Sequence, residues 1–183
     1  MSLAIFDLDN TLLGGDSDYL WAQFLVERGL VEREAHAAAN RRYLEQYEAG
    51  TLDIQEFLEF QLHPLSLYTV EQLEGWHREF MEEKIRPIML PKAVELVERH
   101  RGEGRTLMII TATNRFITAP IAAAFGIERL IATEAELVDG RYTGRSFDTP
   151  CFQAGKITRL ERWLGEHGEG LAGSWFLQVQ LLE

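Results

Sequence analysis

The strongest constraint on this chain is a short apolar run that ends abruptly in acid. Leu3-Ala4-Ile5-Phe6 runs straight into Asp7-Leu8-Asp9-Asn10-Thr11. An apolar run with no polar alternation suits a strand buried on both faces, as in a parallel sheet. Ligands of such sheets bind beyond the carboxyl ends of the strands. The two carboxylates therefore stand where chemistry is to be sought. At roughly 5% usage per residue type, an Asp-x-Asp-x-Thr match arises by chance in about one chain of this size in fifty. Its place at the end of an apolar run makes chance a poorer explanation still.

The rest of the chain supports an α/β reading. Gly14-Gly15 breaks the chain, and helical spacing follows up to about residue 85. Leu20, Phe24 and Leu25 mark one helix and Ala35, Ala38, Ala39 and Tyr43 another. Ile54, Phe57, Leu58 and Gln61 continue the pattern, with Thr51 and Asp53 as caps, and Val70, Leu73, Trp76, Phe80 and Met81 follow Thr69. Pro64 and Pro87 punctuate this stretch. Alternation then resumes. A helix is expected from Lys92 to Arg101, a buried strand at Thr106–Ile110 ending at Thr111, and a helix from Ile117 to Phe125. Leu130–Ala132 reads as a strand, Glu136–Tyr142 as a hairpin turning on Asp139-Gly140, Ile157–Leu164 as a helix, and Ser174–Leu177 as a last buried strand. Alternating strands and helices imply right-handed crossovers and a Rossmann-like parallel sheet, here with an inserted all-helical cap. The expected division is a core of residues 1–13 and 88–183 and a cap of residues 14–87.

Charge and composition narrow the function. The net charge of −11 argues against nucleic acid or anionic lipid as partner. Cys151 is the single cysteine, which excludes a disulfide framework and a cysteine-rich zinc module. No apolar run approaches the ~18 residues of a membrane span, and no signal segment is visible, so a soluble cytoplasmic protein is expected. The five histidines, His36, His63, His77, His100 and His167, lack ligand spacing and read as surface or structural residues.

The chemistry of the acidic motif is specific. One carboxylate can attack phosphorus and form an aspartyl-phosphate. A second, two residues on, can protonate the leaving oxygen and then activate water. Adjacent carboxylates repel unless a cation lies between them, which implies Mg²⁺. The bland alternative is a turn in which Asp and Asn cap local amides. Thr111 can donate to a phosphoryl oxygen or cap the next helix, a role open also to Thr113 and Asn114. Lys156, just after Gly155, can hold phosphate or sit solvated on its helix. Asp16 and Asp18 can face a substrate ammonium or cap the helix that starts near Tyr19.

In this order and spacing, Asp7–Thr11, Thr111 and Lys156 resemble the haloacid dehalogenase superfamily of phosphohydrolases. The helical insert resembles the cap of its phosphoserine-phosphatase-like branch. Gly15-Asp16-Ser17-Asp18, Ile110-Thr111-Ala112-Thr113-Asn114 and Gly155-Lys156-Ile157-Thr158-Arg159-Leu160 are similar to a phosphoserine- or histidinol-phosphatase-like subgroup. The resemblance implies that Asp7 is the nucleophile and Asp9 the general acid/base, and that both serve the Mg²⁺ site. It implies that Leu8, Thr111, Ala112 and Lys156 bind phosphate. Asp16, Asp18 and Asn114 are candidate substrate contacts. The resemblance also implies an acidic pair after the last strand. Here Gln178-Val179-Gln180-Leu181-Leu182-Glu183 follows, and no acid lies between Glu169 and Glu183, as in a truncated or altered ending, so weakened Mg²⁺ binding is expected.

Two functions follow. The first is a Mg²⁺-dependent phosphomonoesterase for a small phosphorylated metabolite. The second is a catalytically impaired phosphatase fold that binds a phosphorylated ligand or a protein partner. In either case the apolar end of the chain offers an edge through which a homo-oligomer could form.

Overall fold

The structure, a computed structural model, describes residues 2–178. The opening apolar run is strand β1, Leu3–Phe6, buried at every position. Four helices follow: α1 (Ser17–Glu27), α2 (Arg33–Glu48), α3 (Ile54–Ser66) and α4 (Val70–Phe80). A π-helical turn, Met81–Ile85, and a 3₁₀ turn, Arg86–Ile88, carry α4 back to the sheet. Then come α5 (Pro91–Gly102), β2 (Thr106–Asn114), α6 (Arg115–Ala124), β3 (Arg129–Val138), β4 (Arg141–Phe147), α7 (Ala154–His167) and β5 (Trp175–Leu177). The strand order is β4-β3-β2-β1-β5. β1 lies parallel to β2 and β5, β2 is parallel to β3, and β4 runs antiparallel.

The lack of polar alternation in β1 has a direct cause. Ala4 and Phe6 join the apolar cluster that includes Val97 of α5 and Ile121 of α6. Leu3 and Ile5 face the opposite layer, where Leu160, Trp163 and Leu164 of α7 pack against Met108, Ile110 and Ile131. Both faces of the strand are covered, so both must be apolar. The β3–β4 hairpin turns on Asp139 (φ 49°) and Gly140 (φ 74°), the paired positive angles of a type I′ turn. Asp53 caps α3 through Gln55 and Glu56, and Thr69 forms a capping box with Gln72 on α4.

The helical stretch is built onto the sheet at several points. Gly14 N–H donates to Ile88 O (2.8 Å), and Leu90 N–H donates to Leu12 O (3.2 Å), so its two ends meet. Leu62, Leu65, Leu73 and Phe80 share one apolar cluster with Phe6 and Leu8. α3 also lies on β4: a Cβ on Gly144 (φ 82°) would come within 3.3 Å of His63 Cα. Glycine is what lets the two backbones approach.

Three expectations need correction. The strand at Thr106 runs on to Asn114 instead of ending at Thr111, with an irregular register between Ile110 and Asn114. Pro64 lies inside the last turns of α3 instead of ending it. The last strand, expected to be buried, leaves Trp175 60% and Phe176 55% exposed. β5 is an edge strand, and its apolar letters do not reveal that too little packs over it. The sequence after Gln178 lies outside the described residues, and so does the part of the acidic-pair expectation that falls there. Among the described residues no helix is long and apolar enough to cross a membrane.

One side chain ties the end of β2 to the loop before α7. The Thr133 hydroxyl donates to Ala112 O (2.7 Å) and accepts from Cys151 N–H (3.1 Å). Thr133→Val keeps the shape and strands both partners. The expected loss is about 1–3 kcal/mol, read as a lower urea midpoint. Thr133→Ser should retain most of the wild-type stability, and equal midpoints for Thr133→Val and wild type would refute the link.

Candidate active site

The carboxyl end of β1 delivers Asp7 beside the end of β5, where Asp7 N–H donates to Leu177 O (3.0 Å). The chain then folds tightly, with Leu8 O accepting from the amides of Thr11, Leu12 and Leu13. This turn places Asp7 and Asp9 just beyond the carboxyl end of β1. Asp7 Oδ1 accepts from Leu8 N–H (3.0 Å) and from Lys156 Nζ (3.2 Å). The Asp7 and Lys156 side chains are 14% and 21% exposed, so the pair is partly shielded from water.

Asp9 is held from two directions. Its Oδ1 accepts from Ser17 N–H at the start of α1 (2.7 Å), and its Oδ2 accepts from the Thr113 hydroxyl near the end of β2 (2.8 Å). Burial and the neighbouring Asp16 charge push its carboxyl up to about 6, against the lowering effect of its hydrogen bonds to Ser17 and Thr113. A carboxyl poised there can both give and take a proton near neutral pH. Next to it, burial and the charges of Asp16 and Asp9 push the Asp18 carboxyl well above the usual range, although Gln61 Nε2 donates to it.

The remaining candidates fall around this pair. Thr111 is buried, and its Oγ1 accepts from Thr113 N–H (3.2 Å). Ala112 lends its carbonyl to Thr133. Asn114 caps α6, its Oδ1 accepting from Ile117 N–H (3.2 Å). Asp16 caps α1 through the amides of Asp18 and Tyr19, both at 2.9 Å. Asp148, an acid that could stand in for a missing metal ligand, is held by Arg162 and by Thr149 N–H. The donor chemistry of Asp7 and Asp9 suits a hard cation, which takes oxygen ligands. Among the described residues no cluster of three or more His, Cys, Asp or Glu forms a metal cage. The pair therefore fits a cation such as Mg²⁺, which keeps several waters and relies on one or two carboxylates plus a bound oxyanion.

Lys156 reaches Asp7 because α7 is fixed one turn further on. Arg159 donates to Glu134 Oε1 (3.1 Å) and to Ala132 O, so α7 is strapped to β3. At its start, Gln153 takes φ 46° and ψ −118°, and Gly155 N–H closes the turn onto Phe152 O (2.8 Å). These angles fit a type II′ turn, a demanding conformation for a residue with a Cβ. Cys151, just before it, is fully buried, and burial pushes its thiol up to about 11, which keeps it unreactive.

Two contacts could not be read from the sequence. Thr113 was weighed only as a cap, yet its hydroxyl meets Asp9, 104 residues away. His36, read as surface or structural, stacks on Phe60 (centroids 5.0 Å apart, planes at 25°) and lines a cavity of about 590 Å³ between α1, α2 and α3. Neither carries a spacing signal, because each acts through contacts between distant elements.

Comparison with known proteins places this geometry in context. The family model for haloacid dehalogenase-like hydrolase matches residues 4–177. A protein named histidinol-phosphatase from Neisseria meningitidis is 47% identical over 171 residues, which make up 93% of this chain and 77% of that one. A crystal structure of a Bordetella pertussis protein of unknown function has a TM-score of 0.88 and 45% identity, covering 96% of this chain and 80% of that one. A substrate-bound phosphoserine phosphatase complex, with a TM-score of 0.65 and 18% identity over 96% of this chain and 76% of that one, shares the fold.

Gly155 offers a sharp test of this local geometry. A Cβ there would lie 2.0 Å from Pro150 O, so Gly155→Ala must displace backbone. It should cost about 2 kcal/mol or more. Gly165, on the same helix, has nothing within 4 Å of a new Cβ. Gly165→Ala should be neutral or stabilising by up to about 1 kcal/mol. Urea midpoints of the two variants measure the contrast, and equal midpoints would contradict it.

Proposed function

This chain belongs to the haloacid dehalogenase-like hydrolase family, and we propose that it is a phosphomonoesterase working on a small phosphorylated metabolite. The observation that carries the reading is the convergence of Lys156, Asp7 and Asp9 at the end of β1, with Asp7 ion-paired and Asp9 held at a proton-sharing pKa.

In this reading Asp7 is the nucleophile. Its oxygen attacks phosphorus, the bond to the leaving oxygen breaks, and an aspartyl-phosphate forms on Asp7. Asp9, protonated, gives its proton to the departing alkoxide and, now ionised, takes one from the water that hydrolyses the acyl phosphate. Ser17 N–H and the Thr113 hydroxyl hold the Asp9 carboxyl in place through both proton transfers. The Lys156 ammonium, 3.2 Å from Asp7, offsets the charge of the incoming phosphate and orients the attacking carboxylate. Thr111 and the backbone of Leu8 and Ala112 line the place where the phosphoryl oxygens would rest. The Asp7 carboxylate and the Asp9 main-chain carbonyl would hold Mg²⁺, whose charge, when it is bound, draws electron density from the phosphoryl oxygens.

Residues 14–87 act in this reading as a cap over the site, with Asp16 and Asp18 at its entry. The Neisseria relative, by its name, acts on histidinol phosphate, which supports an amino-alcohol phosphate as the substrate here. It also favours an enzyme over a fold that only binds.

The experiment is hydrolysis of p-nitrophenyl phosphate with Mg²⁺. Asp7→Asn should abolish turnover without unfolding the chain, since the amide is nearly the same shape and cannot attack phosphorus. Asp9→Asn should slow it by about 10²–10⁴-fold. Chelation should stop the wild type, and added Mg²⁺ should restore it. Wild-type turnover by Asp7→Asn would overturn the mechanism, and no turnover by the wild type in Mg²⁺ would favour the binding-only reading.

A further inference from the structure

We propose that the cavity between α1, α2 and α3 is a leaving-group pocket in which His36 hydrogen-bonds a planar polar ring, so that the chain selects the phosphate ester of a ring-bearing amino alcohol over a ringless one. The inference rests on the phosphomonoesterase reading and adds what that reading leaves open, the part of the substrate that is not phosphate.

The cavity has the size and lining for it. At about 590 Å³ it falls within the range of small-molecule pockets. Its wall is rich in aromatic rings, with Tyr43 and Tyr47 from α2 and Phe57 and Phe60 from α3. Tyr43 meets Phe57 edge-on (5.3 Å) and lies 5.1 Å from Phe60. Flat apolar walls of this kind favour a flat ligand, through stacked and edge contacts. A ringless leaving group such as serine would leave that surface unfilled.

Asn40, Arg41, Gln61 and His36 bring polar groups to the wall, and one of those atoms is buried without a partner. His36 Nε2 is shielded from solvent and has no hydrogen-bond partner among the described residues. A buried nitrogen left unpaired is costly, and a ligand group that pairs with it recovers the loss. Because the imidazole already lies flat on Phe60, its edge is fixed, and the bond it offers is directional. That combination reads a ring with its own hydrogen-bonding atom better than a plain hydrocarbon.

The cavity also borders the start of α1, which holds Asp9. Asp16 and Asp18 line it and flank Ser17, whose N–H lies 2.7 Å from Asp9 Oδ1. A ligand filling the pocket therefore places its near end beside the proposed proton donor. Asp16 there offers a carboxylate to a cation on the ligand, with acceptor sites beyond those the α1 amides occupy, and Arg41 on the same lining carries the opposite charge. On the core side, Phe152 closes the cavity against Tyr47 (6.5 Å), four residues before Lys156. The ring, the ammonium and the phosphate would thus be read by α2 and α3, by α1, and by α7 in turn.

The test compares L-histidinol phosphate with O-phospho-L-serine, and L-histidinol with L-serine. Wild type should favour L-histidinol phosphate in kcat/KM by about tenfold or more, and His36→Phe, which keeps a flat ring and loses the nitrogen, should cut that ratio by about tenfold, mainly through KM. His36→Gln, which keeps a hydrogen-bonding edge, should retain more of the ratio than His36→Phe. Calorimetry with L-histidinol needs no turnover, and there His36→Phe should weaken binding by about tenfold while L-serine binds wild type poorly. A wild-type preference for phosphoserine, a ratio indifferent to His36→Phe, or no binding of L-histidinol by wild type would overturn the proposal. If neither ester is hydrolysed but L-histidinol binds in a His36-dependent way, the phosphatase reading fails and the pocket stands.

Discussion

Two carboxylates at the end of a buried strand must be compensated, and much of the fold meets that need. Asp7 gains an ammonium from Lys156, 149 residues away in sequence. That side chain arrives on target because Arg159 straps α7 to Glu134 and Ala132 of β3, and because Leu160, Trp163 and Leu164 seat the helix on the sheet. Among the described residues Asp9 has no such ion pair. It is held by the first amide of α1 and by the Thr113 hydroxyl of β2, while burial and the Asp16 charge push its carboxyl up to about 6. The environments therefore separate the two acids, one paired with an ammonium and the other with its carboxyl pushed up.

The helical stretch takes part in the same arrangement. Its first residue, Ser17, holds Asp9, and its two ends are stitched together beside the sheet at Gly14–Ile88 and Leu12–Leu90. Its apolar side chains continue the cluster that begins under β1, and α3 presses on β4 where Gly144 has no side chain to obstruct it. The consequence is a cavity walled by the insert and floored by the loop that leads to Lys156. The cavity is thus lined by the helix that holds Asp9 and by the loop that leads to Lys156.

Much of this was legible in the residues, for identifiable reasons. The unbroken apolar letters of Leu3–Phe6 require cover on both faces, and both faces are covered. Asp139-Gly140 announces its hairpin because few other pairs accept two positive φ angles. The acids after β1 stand out because two carboxylates lie two residues apart directly after an apolar run. What stayed hidden depends on distant neighbours. The apolar letters of Trp175–Leu177 look like those of a central strand, yet exposure follows from position at the sheet edge. The Thr113 hydroxyl and the His36 imidazole have roles only once β2 meets β1 and α2 meets α3. Thr111 and Lys156 became conspicuous in the sequence only through their order after Asp7, since neither residue type is unusual where it stands.

The central claim is that Asp7 accepts the phosphoryl group. The most direct measurement is acid quenching of the full chain during turnover of p-nitrophenyl phosphate with Mg²⁺, followed by intact-mass analysis and peptide mapping. The account predicts one added phosphoryl group, on the peptide that carries Asp7, absent in Asp7→Asn and lost on brief exposure to alkali. Turnover with no labelled protein, or with the label on another residue, would contradict it.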